Sequence, residues 1–201
     1  MERSKTLAAL FIHTLVLVSP LLVMATDPDP LQDFCVADLN GVPSVNGYPC
    51  KPPSSAGDEF LFSSRATMGG DPTSNPNGSN VTELDVTHWP GVNTLGMSMN
   101  RVDFAPGGTN PPHIHPRATE VGLVTRGERH HRQPRIREPF NIGKEEASMV
   151  VSFNSQNPGI VFVPLTMFGS SPPIPTPVLV KALRVDAQVV DLIKSKFTGG
   201  Y

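Results

Sequence analysis

The sequence predicts a mainly β fold of many short strands, with α-helices confined to the C-terminal end. Charged residues make up only 17% of the 201-residue chain, which contains 22 prolines and 17 glycines. This composition is typical of turn-rich β structure rather than of a helical bundle. Short runs of alternating or β-branched residues, punctuated by glycine and proline, indicate a sandwich or a barrel.

The N-terminal 25 residues have the pattern of a secretory signal peptide. Arg3 and Lys5 precede an apolar core over residues 7–18, and residues 23–25 fit the small-residue cleavage rule. We therefore predict cleavage near Ala25. A membrane anchor is the alternative, but the apolar run is short for a span.

The rest of the chain, residues 26–201, is predicted to form a single domain. Its two cysteines, Cys35 and Cys50, are the only ones in the sequence, and in a secreted chain such a pair implies a disulfide. Closing a loop of about 15 residues stabilises a fold by roughly 3 kcal/mol in the entropic model. Two free thiols are the alternative, which an oxidising compartment disfavours.

Two adjacent glycosylation sequons begin at Asn77 and Asn80. They lie in a stretch rich in proline, asparagine, glycine and serine, which predicts a surface loop. The net charge of −2 gives no overall attraction to nucleic acid.

The first clear alternation is at Leu95, Met97 and Met99, which predicts a half-buried strand. Val102 and Phe104 continue on the opposite parity. That slip predicts a β-bulge near residues 100–101, or a second strand that begins there.

Further strands are predicted towards the C-terminus. Thr119, Val121 and Leu123 alternate with smaller or polar neighbours. Residues 148–153 and 160–163 are β-prone runs, and the Asn-Pro-Gly sequence at residues 157–159 predicts a turn between them.

The C-terminal end predicts two helices. Thr176 followed by Pro177 reads as an N-cap and first-turn pair that opens a helix through about Leu183. Asp186 is predicted to cap a second helix. In that helix Val189, Ile193 and Phe197 recur every four residues, with Gly199 as the predicted stop.

The most informative segment carries two imidazoles and a carboxylate. His113 and His115 are two residues apart, so in an extended segment both side chains point the same way. Glu120 has the wrong parity for one straight strand, but a turn between Pro116 and Thr119 would return it to the same centre. Two neutral nitrogens and one anionic oxygen suit a divalent first-row metal such as manganese or iron, and zinc less specifically.

Residues 111–120, with the sequence PPHIHPRATE, resemble the first conserved box of the germin and germin-like proteins, plant members of the cupin superfamily. Residues 27–40, 82–85, 96–110, 147–164 and 171–178 are similar to that family as well. The resemblance implies a cupin double-stranded β-jelly roll with C-terminal helices. It also implies manganese at His113, His115 and Glu120, the bridge between Cys35 and Cys50, and a homo-oligomer, since the family forms trimers and hexamers.

The resemblance is interrupted after residue 128. An arginine-, histidine- and proline-rich tract runs to Pro139, where the family has further strands and a second metal box. Pro134-Arg135 and Asn141 resemble remnants of that box. At the place of its histidine stands Arg137 or Glu138.

Two consequences are expected from the interruption. The fourth metal ligand is missing from its place, with His130 or His131 as candidate replacements. The jelly roll lacks strands after residue 128, which predicts unpaired strand edges. A mis-joined reading frame or pseudogene is one explanation, and a rearranged loop is the other.

These observations predict a secreted, apoplastic, manganese-binding germin-like glycoprotein linked through its family to plant defence. The family's activities are oxalate oxidation and superoxide dismutation, and the missing histidine predicts no appreciable oxalate oxidase activity. The alternatives are a non-enzymatic cell-wall or receptor-type oligomer and a non-functional product. No membrane span beyond the N-terminal segment and no nucleic-acid partner are predicted.

Overall fold

The computed structural model describes residues 34–58, 63–127, 129–130 and 139–197. Arg129 and His130 are described by their backbone pairing alone. The predicted signal peptide and the predicted helix stop at Gly199 lie outside the described residues. So do several residues of the altered interval, the arginine-, histidine- and proline-rich tract at residues 129–139. Those residues of the interval are 131–138, which include His131, Pro134, Arg135, Arg137 and Glu138.

The described chain is mainly β, as predicted. Its longer strands form one antiparallel sheet in the order β1-β2-β7-β4, and two short antiparallel pairs, β3-β8 and β5-β6, accompany it. The strands are β1 (Ser79–Leu84), β2 (Ser98–Phe104), β3 (His113–Ile114), β4 (Glu120–Arg126), β5 (Arg129–His130), β6 (Phe140–Asn141), β7 (Ala147–Phe153) and β8 (Val161–Phe162).

The predicted bulge near residues 100–101 is wrong. Strand β2 is a single strand in unbroken register with β1 on one side and β7 on the other. Leu95 and Met97 precede the strand and are 39% and 44% exposed, so the alternation that included them did not belong to it. At the other end of β2, Val102, Asp103 and Phe104 are all buried, which removes the difference between two faces on which parity depends.

Strand β4 is present where it was predicted, but its apolar side chains are not covered. Val121 is 71% and Leu123 is 69% exposed. In the described chain β4 pairs with β7 alone, with a register shift between Val124 and Arg126. The expected unpaired strand edge is therefore found at β4.

The N-terminal arm packs against the segment between β1 and β2. Cys35 and Cys50 form a disulfide, and the isolated bridge between Ala37 and Cys50 closes the same loop. Ala37 is fully buried with Val86 and Val92 in an apolar cluster. The arm thus covers apolar surface that follows β1.

Three helices complete the described chain: α1 (Val163–Phe168), α2 (Thr176–Leu183) and α3 (Ala187–Ser195). Helix α1 was not predicted. Helices α2 and α3 pack against each other, and their buried side chains are Leu179 and Val190. No helix in the described ranges is long and apolar enough to cross a membrane.

The helix boundaries correct two details of the sequence prediction. Pro175, not Thr176, is the N-cap of α2, and the Thr176 hydroxyl donates a hydrogen bond to Asp191 Oδ1 at 2.8 Å instead of capping. In α3 the buried residue is Val190, whereas Val189 is 43% exposed. A four-residue spacing fits more than one stripe of so short a helix, and packing against α2 selects the stripe that contains Val190.

Candidate metal centre

The three predicted ligands come from one short stretch that turns back on itself. His113 lies in β3, His115 follows that strand, and Glu120 is the first residue of β4. A turn at residues 116–117 separates them, with the Ala118 amide hydrogen-bonded to the His115 carbonyl at 3.4 Å. The predicted turn is present, and it brings the carboxylate back to the imidazole pair.

The donor atoms of the three residues converge. One ligand atom from each lies within 4.8 Å of the others. The Nε2 atom of His115 is 3.4 Å from the Oε2 atom of Glu120. Two donors bound about 2.1 Å from one ion at angles of 90–110° lie about 3.0 to 3.4 Å apart, so this separation suits a shared metal.

The centre is well shielded from solvent. His113 is 2% exposed, and the side chains of His115 and Glu120 are 7% and 9% exposed. Burying a carboxylate is costly unless a positive group compensates its charge. A divalent cation would supply that compensation.

Both imidazoles are held with the same nitrogen inward. The Nδ1 atom of His113 is 2.8 Å from the Pro111 carbonyl, and the Nδ1 atom of His115 is 2.5 Å from the Gly159 carbonyl. A carbonyl oxygen only accepts hydrogen bonds, so Nδ1 carries the proton in each ring. Nε2 is then the ring atom through which each histidine would bind a metal.

A cavity of about 300 Å³ contains the three donors. Its walls are mostly apolar and come from the inner faces of β1, β2 and β7. The His115 ring lies 4.6 Å from the ring of Phe153, and the His113 ring lies 5.8 Å from that of Phe162. Lining side chains include Val81, Val102, Met149, Val151, Asn100 and Asn110.

A second group of donors was missed from the sequence. Glu83, Asp85 and His88 also place one ligand atom each within 4.8 Å of the others. Here Asp85 Oδ1 accepts hydrogen bonds from the Thr87 amide at 3.0 Å and the Thr87 hydroxyl at 2.6 Å, and it lies 2.8 Å from His88 Nδ1. Hydrogen bonding within a turn accounts for this cluster. The side chains of His88 and Glu83 are 36% and 47% exposed, and Glu83 and Asp85 line the same cavity as the three predicted ligands.

The altered interval contributes little to the described centre. Asn141 does not face the centre. It is fully buried, and its Nδ2 donates to the carbonyls of Ala105 at 3.0 Å and Glu145 at 2.7 Å. Among the candidate replacement ligands, His131 lies outside the described residues, and so does the side chain of His130.

The two sequons span the turn before β1 and the first residues of that strand. They therefore do not lie in one surface loop, contrary to the prediction. Asn77 precedes the strand and Asn80 is its second residue, and both are partly exposed. The Ser79 hydroxyl of the first sequon is buried and donates to the Thr109 carbonyl at 2.9 Å.

This architecture, with a histidine pair and a carboxylate inside a β shell, defines the cupin class, and the cupin family model matches residues 68–133 and 139–191. The chain belongs to the germin-like branch of that family. It is 65% identical to the germin-like protein 3-5 of Oryza sativa subsp. japonica, with 98% of each chain covered. It is 62% identical to oxalate oxidase 2 of Hordeum vulgare, with both chains fully covered.

The solved structure of an oxalate oxidase in complex with the substrate analogue glycolate is similar as well. Its sequence is 64% identical, the TM-score is 0.80, and the match covers 88% of this chain and 100% of that one. The jelly-roll prediction is thereby confirmed.

Relatives that match this chain over its full length align with it only across gaps. The alignment with the germin-like protein 3-6 of Oryza sativa subsp. japonica, 65% identical, covers both chains fully but runs over 229 positions. This chain has 201 residues, so at least 28 of those positions have no counterpart in it. The family model also breaks between residues 133 and 139, inside the interval where the sequence departs from the family pattern.

Proposed function

We propose that this chain is a secreted, apoplastic, manganese-binding germin-like glycoprotein that acts in plant defence. The observation that carries the proposal is the convergence of His113, His115 and Glu120 on one buried point, with both Nε2 atoms inward. That arrangement is preserved even though the chain aligns with such relatives only across gaps.

Manganese fits the donor set. Two imidazoles and a carboxylate suit a borderline-hard divalent ion, and a carboxylate favours manganese over softer metals. His113 and His115 would hold the ion as neutral ligands and Glu120 as the anionic ligand. When bound, the metal would supply electron exchange with a small anion or oxygen species, which zinc does not offer.

The metal content of the full-length protein, produced by a plant or yeast secretion host, tests this proposal. We expect about one manganese per chain by elemental analysis. A His115→Ala variant should lose it, whereas a His88→Ala variant should keep it, because His88 belongs to the exposed cluster. Wild-type protein that is folded yet takes up no manganese, or equal content in the two variants, would contradict the proposal.

Export and glycosylation rest on different features. The signal pattern of residues 1–25 and the disulfide between Cys35 and Cys50 both indicate an oxidising compartment. We propose glycans at Asn77 and Asn80. Treating the secreted protein with a glycosidase should lower its mass, and Asn77→Gln and Asn80→Gln variants should each remove part of that shift. A product retained inside cells would argue against secretion.

The oxalate oxidases among the relatives make oxalate the first substrate to test. We propose that this chain does not oxidise oxalate at a rate comparable to theirs, since Arg137 or Glu138 stands where the family pattern has its second-box histidine. Peroxide release from oxalate by the manganese-loaded protein, measured beside the Hordeum vulgare enzyme, tests this. Equal rates per manganese would refute it.

A non-enzymatic, oligomeric cell-wall protein is the second candidate, and the helical pair favours it. Val178, Val189 and Leu192 of α2 and α3 are 54%, 43% and 61% exposed. Exposed apolar side chains on packed helices are typical of a surface that binds another protein. A metal-free but stable oligomer, found by light scattering and elemental analysis of one sample, would favour this function over the first.

A further inference from the structure

The two histidines of the centre depend on supports of very different range. His113 donates to Pro111, two residues earlier in the same segment. His115 donates to Gly159, which is 44 residues away in the loop between β7 and β8. The orientation of His115 therefore requires that this loop is held in place.

Arg117 connects the turn at residues 116–117 to this loop. Its Nε donates to the Asn157 carbonyl at 2.8 Å, and its Nη2 donates to Asn157 Oδ1 at 2.9 Å. Its own amide donates to the Pro158 carbonyl at 3.2 Å. A planar guanidinium with two parallel donors fixes its partner's orientation in a way that one donor does not.

Gly159 fits beneath this guanidinium. Its φ is +63°, a conformation that L-residues with side chains rarely adopt. A Cβ at this position would lie 2.6 Å from Arg117 Nη2. The absence of a side chain at Gly159 thus permits both the positive φ and the close approach of Arg117.

We propose that Arg117 is a positioning residue of the metal centre. By holding the loop at residues 157–159, it keeps the Gly159 carbonyl in place to accept a hydrogen bond from His115 Nδ1. His115 Nε2 is then directed at the metal position. This inference deepens the proposed function, because the role of Arg117 is exerted on a ligand of the proposed metal.

A purely structural surface interaction makes a different prediction. Arg117 and Asn157 are both exposed, so their contact contributes little to the free energy of unfolding. Loss of a positioning role weakens the hydrogen bond of His115 to Gly159 and the metal affinity while leaving stability nearly unchanged. The two roles are therefore separable by measurement.

The experiment compares the full-length secreted protein with Arg117→Ala and Arg117→Lys variants. Arg126→Ala is the matched control, because Arg126 is an exposed arginine with an ion pair to Glu146 at 3.7 Å. In each metal-free protein, ¹⁵N NMR of the imidazoles reports which nitrogen of His115 is protonated and whether that nitrogen is hydrogen-bonded. Titration with manganese(II) gives the dissociation constant, and thermal unfolding monitors stability.

We expect a protonated Nδ1 of His115 that is hydrogen-bonded to Gly159 in the wild type and in Arg126→Ala, and a partial loss of that hydrogen bond in Arg117→Ala. Removing the hydrogen-bond partner of a metal-bound histidine typically weakens metal binding 10- to 100-fold. Arg117 holds the loop that carries that partner, so the dissociation constant should rise by the lower figure, about tenfold. Arg117→Lys should lie between the two, because an ammonium reaches one acceptor without forming the fork.

A folded Arg117→Ala protein with the wild-type hydrogen bond and affinity would overturn the inference. If that variant does not fold, Asn157→Ala, which removes one of the two acceptors, must weaken the hydrogen bond and the affinity in the same direction, or the inference fails. A wild type that binds no manganese would refute the proposed function. The inference would then be judged on the hydrogen bond of His115 in the metal-free protein.

Discussion

Strand β7 pairs with β2 on one side and with β4 on the other, and these two neighbours differ in how far their side chains are buried. On one side β2 runs beside it in unbroken register, and Phe104 and Val151 of this pair are buried. On the other side β4 pairs over a similar length, yet Val124, which lies opposite the same Met149 as the buried Val102 of β2, is 44% exposed. Hydrogen bonding to a neighbour thus places a strand in a sheet, but a second layer is needed to bury its side chains.

The difference coincides with the place where the chain is short. Strand β2 has β1 as its second neighbour, and the arm that carries the disulfide packs on Val86 and Val92 between these two strands. All of these elements precede the altered interval. The interval itself follows β4 directly. The comparison teaches that shortening a jelly roll leaves its sheet formed while removing the cover from one edge of that sheet.

The largest expected effect is at the covered side. Phe104 is fully buried, so Phe104→Ala should lower the free energy of unfolding by about 3–5 kcal/mol, through lost burial and the cavity left behind. Chemical denaturation measures this. A loss below about 1 kcal/mol, near the usual value for surface positions, would remove the contrast between the two neighbours of β7.

The N-terminal arm that packs on Val86 and Val92 should come next. Replacing Cys35 and Cys50 by alanine opens a loop with a sequence separation of 15. The expected loss is about 3 kcal/mol, from the greater freedom of the unfolded chain. Thermal unfolding of the double variant, beside wild-type protein kept oxidised, tests this; an unchanged midpoint would mean that the arm is held by packing alone.

Metal binding at Glu120, the first residue of β4, should have the next largest effect on stability. With manganese at 100 times its dissociation constant, the folded state should gain about 2.7 kcal/mol by mass action. Glu120→Gln should abolish most of this gain, because it removes the anionic donor. Calorimetry with and without metal checks the expectation, with magnesium as the control ion. An equal gain with magnesium would show that the stabilisation is not specific to the centre.

The smallest effect on stability is expected at the open edge. Leu123→Lys should change the free energy of unfolding by no more than about 0.5 kcal/mol, since this side chain is already in solvent. It should also reduce self-association at high concentration, because a charge protects an exposed strand edge. Denaturation and light scattering measure the two effects. A loss as large as that of Phe104→Ala would mean that β4 is covered in solution.

The metal box could be predicted from the sequence because its geometry is local. The alternation of a strand aligns His113 with His115, and a proline-initiated turn returns Glu120 within a few residues. The alignment of His115 with Gly159, by contrast, depends on two segments 44 residues apart, and no local pattern encodes it.

The errors have the same cause. Leu95 and Met97 continued an alternation into a segment that tertiary structure uses as a turn, where Thr94 adopts a φ of +64°. The cluster at Glu83, Asp85 and His88 was detectable as three ligand-type residues within six positions, but its spacing matches no metal motif. In α3, packing against α2 selected Val190, which spacing alone could not identify.

Glu120 is both a donor of the centre and the first residue of the least covered strand. An ion bound there would link the first residue of β4 to the segment that carries His113 and His115. Amide protons of residues 121–126 should then exchange with deuterium more slowly in the loaded protein than after chelation. Exchange at this edge would give a direct readout of occupancy without any substrate.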